Sequence, residues 1–204
     1  MALNLVIWAL GWSTAVAQIS IVEIQRNTEC LVIDTGEAVD EELWGPGQWT
    51  SSINLDNVGS ALAVQETNIQ LDGAFMNSGG SLRAVAEMTQ EQGTDHLYSW
   101  SRITSAVVVA EETEYAFTVS MSAGVHAILL VPGNSTALDE PGEYNLEGLL
   151  QAGDQIQVYI EATVDAQLEG IDSVEAAAIF DFSLTPTSVD TRVEDWSSVK
   201  TMYR

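Results

Sequence analysis

The densest group of chemically able side chains lies in residues 37–49. Trp44 and Trp49 supply flat apolar faces of the kind that stack on sugar rings. Glu37, Asp40, Glu41 and Glu42 supply carboxylates that accept from hydroxyls or hold a hard cation through oxygen. The Gly45-Pro46-Gly47 sequence between the tryptophans reads as a loop held open around them. A second reading stays open, in which both tryptophans cap one end of a hydrophobic core. A calcium site is readable at Asp139, Glu140 and Glu143, and another at Asp165, Glu169 and Asp172. Neither has the spacing of a helix-loop-helix calcium loop. Solvated acids on turns are the competing reading for both.

His96 and His126 stand apart from each other and from Cys30, without metal-ligand spacing. No Gly-x-Ser-x-Gly, Walker A or Gly-x-Gly-x-x-Gly motif occurs. No catalytic residue is assigned, and the chain is read as a non-enzyme. A pair of carboxylates in a cleft would make a polysaccharide hydrolase or lyase, but with thirty acidic residues some close pair is inevitable.

The elements that must position these groups are strands. Tyr115, Phe117, Val119 and Met121 alternate with small or polar residues. So do Ile156, Val158, Ile160, Ala162 and Val164, and again Ala178, Phe180, Phe182 and Leu184. A period of two places one face in a core and the other in water. Pro132-Gly133-Asn134, Pro141-Gly142 and Gly153-Asp154 mark turns. Similar segments at 19–25, 30–35, 53–57, 61–71, 82–88 and 96–109 bring the expected total to about nine to eleven strands. The segment 36–50 is expected as a loop, with room for a short helix at 39–44. The fold class is an all-β, antiparallel, jelly-roll-like β-sandwich, one domain over residues 18–186.

Thirty acidic residues face six basic ones, for a net charge of −24. Duplex binding needs clustered Lys and Arg, so nucleic acid is excluded as a partner. Anionic membrane surfaces are disfavoured on the same ground. Hydrophobic residues make up 46% of the chain and are patterned, which argues for a packed core. The single cysteine, Cys30, has no internal partner and sits in a strand-like run, as a buried free thiol would.

Residues 2–17 are apolar, uncharged and too short for a transmembrane span. They end in Ala15-Val16-Ala17, the small-x-small pattern of a signal-peptidase site, so 1–17 is expected to be an export signal. A polar tail over 187–204 carries Arg192, Lys200 and Arg204 and closes on Trp196, Val199 and Tyr203. That ending reads either as a terminal address or as an amphipathic turn packed back on the acidic body.

The central block is similar to domains common in exported bacterial proteins. The matching pieces are Glu114–Val119, Ala127–Leu130, Gly142–Leu150, Ala152-Gly153-Asp154 before a long strand, and the alternating strand Ala178–Leu184. Together they resemble the β-sandwich bodies of C-terminally sorted, PEP-CTERM-like surface proteins over about residues 95–186. The Val-Pro-Glu-Pro motif of that group is absent. The resemblance implies a secreted or cell-surface protein, in a group whose members mostly have no assigned activity. The sandwich pattern, the acidic surface, the signal-like start and the lack of a catalytic motif point to action by adhesion or self-assembly. A carbohydrate-binding module, calcium-dependent or not, is the alternative reading.

Overall fold

The computed structural model describes residues 19–56, 59–73, 75–88 and 94–187. The expected export signal and the Trp196–Arg204 ending lie outside them. Twelve strands are present among the described residues: β1 (Ser20–Val32), β2 (Glu37–Trp44), β3 (Gly47–Asp56), β4 (Gly59–Asp72), β5 (Phe75–Met88), β6 (Thr94–Val108), β7 (Thr113–Met121), β8 (Val125–Val131), β9 (Asn134–Leu138), β10 (Gly142–Leu150), β11 (Gln155–Glu169) and β12 (Asp172–Pro186). They form two six-stranded antiparallel sheets. The first runs β2-β1-β6-β11-β8-β9 and the second β10-β7-β12-β5-β4-β3.

The last eight strands wind as a jelly roll. The pairs β8·β9, β7·β10, β6·β11 and β5·β12 nest one inside the next and alternate between the two sheets. The hairpin β1·β2 extends the first sheet beyond β6, and the hairpin β3·β4 extends the second beyond β5. The alternation read from the sequence puts its apolar members inside: Ile156, Val158, Ile160, Ala162 and Val164 are all buried, as are Phe117, Phe180 and Phe182.

Two expectations give way. Residues 36–50 are not a loop, and 39–44 is not a helix. Val39 and Leu43 sit four apart, a spacing that fits one face of a helix and equally two periods of a strand. Pairing with β1 decides for the strand. The glycines and proline turn the chain only at Gly36 and at Gly45–Gly47. Likewise the two strands expected at 19–25 and 30–35 are one strand, β1, which ends at Val32, with residues 33–35 in the turn that follows. Its middle is polar, and Arg26 and Thr28 there point into the sandwich and are fully buried.

Those inward polar groups form a seam between the sheets. Thr28 and Ser51 share a hydrogen bond of 2.7 Å between their hydroxyls, and Ser99 donates to the Val85 carbonyl at 3.0 Å. Arg26 closes this side of the sandwich. Its Nη2 donates to the Gly45 carbonyl at 2.6 Å and its Nη1 to the Gly47 carbonyl at 2.8 Å. The guanidinium carbon also lies 5.7 Å from the centre of the Trp49 ring. One buried fork therefore pins the corner where the chain leaves the first sheet for the second. Among the described residues it has no carboxylate partner, and burial lowers its pKa.

The opposite side is open. There the edge strands β9 and β10 are held by β8 and β7 respectively. The inward residues Tyr144 and Leu146 of β10 are only half-buried.

Candidate functional site on the outer face of the first sheet

Register brings side chains from five strands onto one exposed face. Trp44, Gln25, Thr104, Tyr159 and Ile128 form one row across β2, β1, β6, β11 and β8. Glu42, Asn27, Arg102, Glu161 and His126 form the next row. Asp40, Glu29, Trp100 and Thr163 form the third, and Leu31, Tyr98 and Asp165 the fourth. Residues of one row stand about 5 Å apart, and rows repeat every ~7 Å.

The side chains are tied together across the strands. Trp100 Nε1 donates to Glu29 Oε2 at 3.0 Å. The Arg102 guanidinium carbon lies 4.4 Å from the centre of the Trp100 ring. Glu161 accepts from the Tyr159 hydroxyl at 2.5 Å and from Thr163 at 2.9 Å. His126 meets the Tyr159 ring edge-on and pairs through Nδ1 with Asp139. At the far end His96 Nε2 sits 2.6 Å from Asp165 Oδ1. Burial first, and then the hydrogen bond and charge of Glu161, push the Tyr159 phenol up to about 12. Tyr98 is raised as well, through burial and then the charges of Glu161, Glu29 and Asp165. Both phenols are therefore neutral donors at physiological pH.

The residues singled out from the sequence divide between the faces. Trp44, Asp40 and Glu42 belong to this outer face, where Trp44 is 59% exposed and Glu42 accepts from Gln25 at 2.6 Å. Glu37 and Glu41 occupy the inward rows of the edge strand β2. Trp49 points inward beneath Arg26, as a core-capping tryptophan does. The two tryptophans thus do not share one binding surface. Of the calcium candidates, Asp139 is paired with His126, the Glu140 carbonyl accepts from the Tyr144 hydroxyl, and Glu143 faces outward on the second sheet. Among the described residues no three His, Cys, Asp or Glu side chains are placed to hold a metal ion.

Tyr98, Trp100, Arg102, Tyr159 and Glu161 were not assigned to a site from sequence. Their signal was the outward half of the same alternation that identified the core. The aromatic and charged residues at every second position of 98–102 and 159–163 mark the outward face.

Fold and face together define a class: a jelly-roll sandwich, with twelve strands among the described residues and an aromatic and carboxylate network on the outer face of one sheet. No protein-family model matches the chain, and no curated protein matches it. Among solved structures, a GH31 alpha-xylosidase from Xanthomonas citri aligns with a TM-score of 0.25 and 9% identity, covering 75% of this chain and 30% of that one. No helix among the described residues is long and apolar enough to cross a membrane.

Proposed function

We propose that the protein is a non-enzymatic, exported adhesion module that binds glycans through the outer face of the first sheet. The observation that carries this reading is the network around Trp100. Half-buried aromatic rings stand on one flat face, each beside an oriented carboxylate or amide. The exposed Trp44 ring and the side of Trp100 that Arg102 does not cover accept the C–H side of a sugar ring, while Glu29, Glu161, Asn27 and Gln25 meet its hydroxyls. Glu29 and Glu161 are engaged with Trp100, Tyr159 and Thr163, which suits holding a ligand better than cycling a proton. Export rests on the apolar Ala15-Val16-Ala17 start and on the resemblance of the central block to surface proteins.

The test is a glycan array probed with the full chain, followed by calorimetry on any ligand found. Trp100→Ala and Tyr159→Ala should each weaken binding by roughly tenfold or more, the loss of one stacking contact and its hydrogen bonds. Glu87→Gln, exposed on the other sheet, should bind as the parent does. A blank array, or Trp100→Ala binding undiminished, would overturn the reading.

A second reading, self-assembly, is favoured by the open side of the sandwich. The edge strand β10 presents backbone groups and the half-buried Tyr144 and Leu146. Sedimentation velocity reads this directly. Oligomers that dissociate in Leu146→Glu support it, and a monodisperse monomer at high concentration removes it.

A further inference from the structure

We propose that the second sheet carries a linear trough along β7 that binds an extended, positively charged peptide segment. The trough lies on the face of the molecule opposite to the network above and is independent of it. Its floor is the outward row of β7, where Ala116, Thr118 and Ser120 are all small. Its walls are the outward rows of β10 and β12. Four cross-strand rows define it: Leu149·Glu114·Thr185, Glu147·Ala116·Ser183, Asn145·Thr118·Asp181 and Glu143·Ser120·Ile179. The hollow over the first two rows measures about 610 Å³, and the hollow over the next two about 610 Å³ again. The rows are consecutive, so the two hollows form one groove about 20 Å long.

Shape and charge specify the occupant. The groove repeats every ~7 Å, the spacing of alternate side chains in an extended peptide, so a strand laid in it meets one row with every second residue. Glu114, Glu143, Glu147 and Asp181 line it, and among the described residues no lysine or arginine does. The nearest described cation on this sheet, Arg83, is held by Glu175 at 2.7 Å and 3.0 Å. The carboxylates of the trough therefore meet no cation of their own sheet and complement a cationic ligand. At opposite ends and on opposite walls stand Leu149, 51% exposed, and Ile179, 67% exposed, as apolar anchors. The two tyrosines that border the groove, Tyr115 and Tyr144, belong to the inward rows and pack on the core. The groove therefore lacks the open ring faces that a glycan would use.

The test is fluorescence anisotropy with a labelled octapeptide of alternating lysine and leucine, against one of alternating glutamate and leucine and a neutral glucan oligosaccharide. The lysine peptide should bind and the other two should not. Thr118→Trp fills the trough without changing charge and should weaken binding by about tenfold or more. Glu147→Gln with Asp181→Asn should do the same. Removing two charges elsewhere on the sheet, by Glu66→Gln with Glu87→Gln, should change affinity by less than about twofold. Circular dichroism and melting show which variants remain folded, and the charge pair stands as the test if Thr118→Trp does not fold. Equal weakening by both charge pairs would show diffuse attraction to an acidic protein and overturn the proposal. So would undiminished binding by folded Thr118→Trp, or occupation of the groove by the oligosaccharide.

Discussion

Arg102 lies over the ring of Trp100, with its guanidinium carbon 4.4 Å from the ring centre. The two alternate along β6, so they lean together on the same outer face. Glu29 holds the same ring at its N–H from β1. The ring is thereby held in one orientation, which would lower the ordering cost of the proposed glycan binding.

A double-mutant cycle measures this pairing. Trp100→Leu and Arg102→Met, alone and together, should give a coupling of ~0.5–1 kcal/mol in urea denaturation, the range for a partly exposed cation on an aromatic face. Additive losses would show that the two side chains are neighbours without mutual stabilisation.

Arg26 makes the sharper stability prediction. Arg26→Met keeps the apolar stem and removes the fork that holds the Gly45 and Gly47 carbonyls. The expected loss is about 3 kcal/mol, because hydrogen bonds from a charged donor are worth roughly twice neutral ones and the carbonyls are left without them. Arg26→Lys should recover little of it, since an ammonium does not span both carbonyls in one plane. Chemical denaturation checks both.

Two glycines should respond differently to alanine. A Cβ on Gly80 would stand 2.1 Å from the Glu66 carbonyl oxygen and 2.9 Å from Thr67 Cα, both in the backbone of the adjacent strand. Gly80→Ala must push β4 and β5 apart and should cost about 3 kcal/mol, the upper end for overpacking. Gly133 has open space around it but a φ of +76°. Gly133→Ala should cost only ~1 kcal/mol, the strain of a left-handed turn position. Thermal melts of the two variants should fall in that order.

Alkaline pH should unfold the protein through groups that the fold keeps protonated. Burial pushes the Cys30 thiol up to about 12, and burial with Glu161 pushes the Tyr159 phenol up to about 12. A folded pKa raised above the unfolded value contributes stability that is complete below the unfolded pKa and lost as pH rises through the folded one. The windows are therefore about 9 to 12 for the thiol and about 10 to 12 for the phenol, from ordinary values of 9.0 and 10.0. Tyr159→Phe should flatten the decline above pH ~10. At neutral pH Cys30 should resist thiol reagents until the protein is denatured, because the neutral, buried thiol is a poor nucleophile.

The fold was legible where one face of a strand is uniformly apolar, as in 156–164, because burial writes itself as a period of two. It was least legible in β1 and β2. Arg26 and Thr28 are polar residues at interior positions, hydrogen-bonded to partners on β3 and β4 that local sequence does not reveal. Val39 and Leu43 fit two periods at once. The site was legible only in pieces, for the same reason. Glu29, Trp100 and Glu161 come from β1, β6 and β11, which are neighbours only through the crossovers of the jelly roll. Trp44 and Trp49 are close in sequence, and that proximity misled, because a two-residue corner between them sends the chain to the other sheet.

The nesting of the pairs also sets an order of assembly. The innermost hairpin, β8·β9, is closed by Pro132-Gly133, with Gly133 at a φ of +76° that suits the third position of a tight turn. Closing it brings β7 to β10, then β6 to β11, then β5 to β12, each step spanning a longer stretch of chain than the last. The last of the described strands, Asp172–Pro186, lies between β5 and β7 and is the piece that joins the two halves of the second sheet. The second sheet therefore cannot close until Asp172–Pro186 is available to pair on both its sides. Pairings so distant along the chain make folding slow by topology.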